Sequence, residues 1–196
     1  SLKDQGITEV YFPERKKHFV KTPAFSFGKI KGIYTYLSPE MKSTGEAIGY
    51  DEKLHRAAYK AMIASGLTLK NYGTVLVSVA DEDKDEVVPL IRRFYEMGFN
   101  IEATSLTGEV LRENCIRTRI RHKPSEHSDE VLQSIRAGYV SYIINTRAIL
   151  SGVHYGDGVA IRRCAAQQGT VMLTSLDTVR MLLDVLEEVT MGISTI

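Results

Sequence analysis

Gly73-Thr74-Val75-Leu76-Val77-Ser78-Val79, with the segments Asp83–Met97 and Phe99-Asn100-Ile101-Glu102-Ala103 that follow it, decides the fold. The first run is apolar without clean alternation, as expected for a short strand covered on both faces of its sheet. Asp83–Met97 then shows a helical period through Val87, Val88, Ile91, Phe94 and Tyr95, and Gly98 ends it. Phe99–Ala103 reads as a second strand. Two short strands joined by a helix of this length form a βαβ unit, whose strands run parallel.

The pattern continues downstream. Leu106–Glu113 reads as a short helix, and Ile116–Arg121 alternates apolar residues with Arg117, Arg119 and Arg121, the mark of an edge strand with one solvated face. Asp129–Ala137 is helical and closed by Gly138, Tyr139–Asn145 is the third buried strand, Asp157–Gln167 is helical, Thr170–Leu173 is a last strand and Leu176–Val189 a last helix. Upstream the character changes. Residues 1–50 hold three of the five prolines, and Phe25, Phe27, Ile30, Ile33, Tyr34 and Tyr36 alternate loosely, as in short irregular strands. Glu52–Ser65 is an amphipathic helix with Leu54, Ala57, Ala58, Ala61 and Met62 on one face, stopped at Gly66. The fold class is therefore α/β, a five-stranded mostly parallel sheet flanked by helices, preceded by a short irregular N-terminal segment.

Composition narrows the function. The chain has 196 residues, 43% of them hydrophobic and 25% charged, with a formal net charge of +1. Near-neutral balance argues against a nucleic-acid binder. No apolar run approaches the roughly 18 residues needed to cross a bilayer. The N-terminus (Ser1-Leu2-Lys3-Asp4) lacks the basic and apolar regions of a secretory signal. Cys115 and Cys164 have no metal-binding spacing and are expected to be reduced, buried thiols in a cytoplasmic compartment. The histidines are scattered, and no metal site is expected. No phosphate-binding glycine motif and no Ser/His/Asp set is present, and no carboxylate stands alone in an apolar run, so no catalytic residue is assigned.

In a parallel sheet, ligands bind beyond the carboxyl ends of the strands. Lys84 follows the first strand in an acidic setting, where a lysine sits badly with the helix dipole. It is either a solvated partner of Asp81 or Asp83, or a cation held beside an anion site. Thr104, Ser105 and Thr107 cluster at the next turn, where hydroxyls and free N–H groups suit phosphate, or simply cap the helix. Lys123 follows the edge strand, and Asn145, Thr146 and Arg147 follow the third buried strand. All these groups fall on one rim.

Their order resembles the C-terminal end of the large subunit of carbamoyl-phosphate synthase. Leu37-Ser38-Pro39-Glu40-Met41-Lys42-Ser43-Thr44-Gly45-Glu46 is similar to the GPEMRSTGE signature that closes the second ATP-grasp half. From Gly73 to about Glu188 the chain is similar to that family's methylglyoxal-synthase-like allosteric domain, through Ser78-Val79 with Lys84, Gly98-Phe99, Ala103-Thr104 with Thr107, Lys123, Ile144-Asn145-Thr146 and Ile161-Arg162-Arg163. The resemblance implies that residues 1–50 are the tail of an ATP-grasp domain, 51–72 a connecting helix and linker, and 73–196 a regulatory domain. It implies that a nucleotide effector, inosine or uridine monophosphate, binds through Lys84, Thr104, Thr107, Lys123, Asn145, Thr146 and Arg147, and that Thr174 contacts an amino-acid activator.

The implied parent is a glutamine-hydrolysing, ATP-dependent ligase of arginine or pyrimidine biosynthesis that uses ATP and Mg, with a glutaminase small subunit and the catalytic ATP-grasp domains as partners. The fragment itself would hold no cofactor and catalyse nothing. Leu106 stands where the family has glycine and is expected to narrow the turn. Arg147 replaces a hydroxyl and either adds a phosphate contact or fills the pocket. Two other readings stand beside this one. One is a lyase of the methylglyoxal synthase type, for which the chain lacks the Gly-Gly-Asp context. The other is a homo-oligomerisation module with a vestigial pocket.

Overall fold

The computed structural model describes residues 2–7, 16–25, 43–146 and 155–191. Two sheets are present: an antiparallel pair, β1 (His18–Ala24) and β2 (Gly45–Asp51), and a five-stranded parallel sheet. The latter comprises β3 (Thr74–Ser78), β4 (Asn100–Thr104), β5 (Thr118–Arg121), β6 (Val140–Asn145) and β7 (Val171–Leu173), in the order β5-β4-β3-β6-β7. The helices are α1 (Leu54–Ala64), α2 (Lys84–Glu96), α3 (Ser105–Glu113), α4 (Glu130–Arg136), α5 (Tyr155–Gln168) and α6 (Leu176–Met191). The expected α/β sheet is thus confirmed, and boundaries inferred from hydrophobic period and glycine stops differ from the observed ones by one or two residues at most ends. Gly98 and Gly138, read as stops, both have positive φ, 90° and 76°, a backbone conformation that side chains with a Cβ avoid.

Both faces of the sheet are covered, which explains why its central strands are apolar throughout. Val75, Val77, Ile101, Ala103, Tyr142 and Ile144 face a core completed by α2 and α6. Leu76, Val140 and Ile143 face the other side, against α4 and α5. Phe94, Phe99 and Tyr142 pack as an aromatic triplet with ring centroids 5.3–6.0 Å apart. The buried Tyr142 hydroxyl donates to Lys70 O and accepts from Lys70 N–H, each at 2.7 Å, so the segment before β3 is tied to β6. Burial pushes the Tyr142 hydroxyl pKa up.

The N-terminal strands are more regular than their sequence suggests: each has seven residues, fully paired from His18↔Asp51 to Ala24↔Gly45. A domain boundary after residue 50 falls one residue inside the end of β2. One face of the pair rests on α1. A Cβ on Gly49 would lie 2.0 Å from Ala57 O and 2.4 Å from Ala61 N, so glycine there lets β2 touch the helix backbone. Ala57, Ala58 and Ala61 are buried as expected, whereas Leu54 is 39% exposed. Lys53 and Arg56 reach Glu188 of α6 at 3.0 and 3.6 Å and link this unit to the main sheet. The expected strands around residues 27–36 and most of the Leu37–Glu46 motif lie outside the described residues.

Two expectations are corrected. The β5 arginines do not all form a solvated face. Arg119 is open to water, but Arg121 makes a bidentate pair with Glu102 of β4 at 2.8 and 3.0 Å, and Tyr139 Oη donates to the same carboxylate. Glu102 is 3% exposed, a buried charge between Ile101 and Ala103 that its cross-strand cation makes tolerable. Cys115 is not buried. It occupies an exposed turn with φ 58°, whereas Cys164 is buried and burial pushes its thiol pKa up.

Three outcomes follow. Gly49→Ala forces β2 off α1 and should destabilise the N-terminal unit by about 1–3 kcal/mol, read as faster proteolysis within residues 16–64. A thiol reagent should label Cys115 in the native protein and Cys164 only after unfolding. Burial raises the Glu102 carboxyl, but bonds from Arg121, Ser134 and Tyr139 outweigh it and leave the pKa below its ordinary 4.5. A folded pKa below the unfolded one gives stability that is complete above pH 4.5 and lost as pH falls through the lower folded value. Glu102→Gln should lower stability at pH 7 by about 1–3 kcal/mol and flatten the dependence of the urea midpoint on pH below 4.5.

Candidate functional site

All five strands of the main sheet are parallel, so their carboxyl ends share one rim. The chain runs outward from β3 through β4 to β5 and then returns to β6 on the other side of β3. The topological switch therefore lies between β3 and β6, whose ends meet at the pair Ser78↔Asn145. The segment leaving β3, Ser78-Val79-Ala80, is where the candidate residues converge.

Thr104 closes β4 and Thr107 lies in the first turn of α3; both are buried, at 4% and 2% exposure. Thr104 Oγ1 lies 3.3 Å from Ser78 Oγ and 3.4 Å from Thr107 Oγ1, and Val79 N–H points at Thr107 Oγ1 from 3.4 Å. These are long contacts for hydroxyls, whose usual spacing is about 2.7–2.8 Å. Two contacts among three hydroxyls use at most two of their three hydrogens, so one hydroxyl hydrogen is left for another acceptor. Thr104 is the N-cap of α3 without a side-chain capping bond, so the capping reading of these hydroxyls fails. Gly108 lets α3 sit close on the sheet: a Cβ there would lie 2.9 Å from Ile120 Cγ1.

The β6 end is braced rather than open. Asn145 is 3% exposed, its amide donates to Ser78 O at 3.1 Å, and its Oδ1 accepts from Arg162 at 2.7 Å. Thr146 Oγ1 accepts from Ala80 N–H at 2.9 Å. Arg147 lies outside the described residues. Thr174 is exposed just past β7, at the far edge of the sheet from β5.

Lys84 opens α2 and pairs with Asp81 at 2.7 Å, with its own side chain only 18% exposed. Lys123 belongs to a strap after β5 that contains the turn Pro124–Glu126. Its Nζ lies 3.9 Å from Asp157 Oδ2. Ser125 donates to Asp157 through both N–H (3.0 Å) and Oγ (2.5 Å), tying the strap to the start of α5. Ser105 ties its other side, donating to Glu126 Oε1 at 2.7 Å, so it turns away from Thr104 and Thr107. Burial raises the Glu126 carboxyl, yet the bonds from Lys123 N–H and Ser105 carry the net shift downward. Leu106, expected to narrow the turn, is 54% exposed.

Sequence reasoning missed Asp157 as the buried anchor of the strap and Arg162 as the partner of Asn145. The signal for Arg162 was present in Ile161-Arg162-Arg163; an aspartate at a helix start carries none. No group of three or more metal-ligating side chains occurs among the described residues. Among the same residues, no helix is long and apolar enough to cross a membrane.

Comparison with known proteins agrees with this architecture. A methylglyoxal synthase from Elizabethkingia anophelis NUHP1 superposes with a TM-score of 0.50 at 18% identity, over 59% of this chain and 79% of that one, a likeness of fold alone. A solved structure titled ForH gives 0.46 at 17% identity, over 62% and 81%. The MGS-like domain family matches residues 86–174, from the first turn of α2 to the end of β7, so Lys84 and β3 precede the matched span. Over residues 86–174 the chain is thus similar to the MGS-like domain family.

Proposed function

We propose that the chain senses a phosphorylated small molecule at the carboxyl rim of its parallel sheet and acts as the allosteric regulatory portion of a carbamoyl-phosphate synthase large subunit. The observation that carries the reading is the convergence of the half-buried Ser78 and the buried Thr104 and Thr107 hydroxyls, only loosely bonded to one another, at the start of α3. The N-terminal turn of α3, short hydroxyl donors and the Lys84 ammonium suit a phosphate. Asn145, Thr146 and Arg162 hold the β3–β6 ends in place around it. The nucleotide class, inosine or uridine monophosphate, comes from the resemblance of the rim residues, as does the identity of β1 and β2 as the tail of an ATP-grasp domain. The contact of α1 with both β2 and α6 gives such a tail a route to the sheet, through Glu188. In the parent, an effector that binds one state better would shift catalysis through linkage, with typical coupling of about 1–3 kcal/mol.

Calorimetric titration of inorganic phosphate, inosine monophosphate and uridine monophosphate into the full chain tests the proposal. At least one nucleotide should bind more tightly than phosphate, and Thr104→Val or Lys84→Ala should weaken it by about tenfold or more, the loss of one bond to a charged group. No heat with any of the three overturns the proposal. Release of methylglyoxal from dihydroxyacetone phosphate would favour a lyase instead.

A further inference from the structure

Asn145 is buried where the ends of β3 and β6 meet, and the two ends of its amide have different partners. Its Oδ1 accepts from the Arg162 guanidinium of α5 at 2.7 Å, and its Nδ2 donates to Ser78 O at 3.1 Å. A turned amide would set Oδ1 against a carbonyl oxygen and the NH2 group against a guanidinium, which only donates. Arg162 and Ser78 O therefore select one orientation between them. The guanidinium has room reserved for it: a Cβ on Gly158, one turn earlier in α5, would lie 3.2 Å from both of its terminal nitrogens.

The carbonyl that Asn145 holds belongs to the same peptide unit as Val79 N–H, and in a planar trans peptide the two groups point in opposite directions. The grip on Ser78 O from β6 thus turns Val79 N–H toward α3, where it donates to Thr107 Oγ1 over 3.4 Å. That is long for an N–H donor, so a closer acceptor can take it. Thr104 Oγ1, 3.4 Å from Thr107 Oγ1 and 3.3 Å from Ser78 Oγ, completes the group.

We propose that Arg162 is a positioning residue for the anion: acting through Asn145, it locks the Ser78–Val79 peptide with its N–H, and not its carbonyl oxygen, toward the threonine hydroxyls, and a bound phosphate takes that N–H as a donor. The inference rests on the anion-site reading above and adds the contact that decides which sign of charge the site accepts. With the peptide turned over, a carbonyl oxygen would face the hydroxyls and repel an anion. Arg162 does this without touching the ligand. Asn145, with both ends of its amide engaged, acts on β3 rather than on the ligand.

The test titrates inorganic phosphate into the full chain while amide NMR follows Val79, with Arg162→Met, Arg162→Lys, Asn145→Ala and the Arg162→Met, Asn145→Ala double variant alongside. In the wild type, phosphate should move the Val79 amide proton downfield, as a charged acceptor replaces a distant hydroxyl. Arg162→Met should weaken phosphate binding about three- to tenfold, the worth of one hydrogen bond, and remove the Val79 shift. Arg162→Lys keeps a donor for Asn145 and should recover most of both. The double variant should bind no more weakly than Asn145→Ala alone, because both losses act on one peptide. Phosphate binding that leaves the wild-type Val79 amide unmoved overturns the inference and leaves the anion site standing. So does unchanged binding in Arg162→Met, or a double-variant loss equal to the product of the two single losses. No binding by the wild type overturns both.

Discussion

β3 is the strand on which both halves of the sheet depend. Its backbone pairs in parallel with β4 from Thr74↔Asn100 onward and with β6 through Ser78↔Asn145. The segment that leaves it, Ser78–Ala80, is contacted by Thr104, Thr107, Asn145 and Thr146, which come from two other crossings of the sheet, β4 with the start of α3 and the end of β6. That meeting requires both registers. Side chains alternate along a strand, so a slip of one residue in β4 would turn Thr104 to the opposite face and bring Ala103 into its place. Register is held by Val75, Val77, Ile101 and Ala103, whose burial against α2 and α6 fixes which face is which.

The polar groups inside this sheet divide into two kinds. Glu102 with Arg121, and Asp157 with Ser125, are closed sets with bonds of 2.5–3.0 Å. They fix the end of β5 and the strap that follows it. The hydroxyls of Ser78, Thr104 and Thr107 are an open set, buried or half-buried yet bonded only at 3.3–3.4 Å. Buried polar groups are normally well satisfied, so an open set at the switch point of a parallel sheet is the arrangement a ligand would complete. The Lys84–Asp81 pair follows the same strand, β3, and faces water through the aspartate.

Much of this fold was legible in the chain because both signals that declare it are local. The unbroken apolar runs of β3 and β6 and the helical period of α2 follow from burial on two faces and on one. Gly98 and Gly138 mark helix ends because those backbones have positive φ. The rim was legible for a related reason: in a parallel sheet, residues following successive strands must lie on one edge. Less legible was anything set by a partner distant in sequence. Ser105 looked equivalent to its threonine neighbours until Glu126, in a strap after β5, claimed its hydroxyl. Cys115 resembled a core thiol, but the turn after α3 leaves it outside. The regular pairing of β1 with β2 was hidden because the two strands stand far apart in the chain and expose Phe19, Ile48 and Tyr50 on their outer face.

The amino-acid sequence alone determined the order of strands and helices, the parallel run of the main sheet, and the edge on which lysines and hydroxyls gather. Each of these is written in spacing a few residues long. Tertiary structure decided which hydroxyls stay loosely bonded, where Ser125 finds its carboxylate, and where Glu102 finds its cation. Those outcomes depend on side chains 3 Å apart in space and about 20 to 35 residues apart in sequence, and only the packed sheet brings such pairs together.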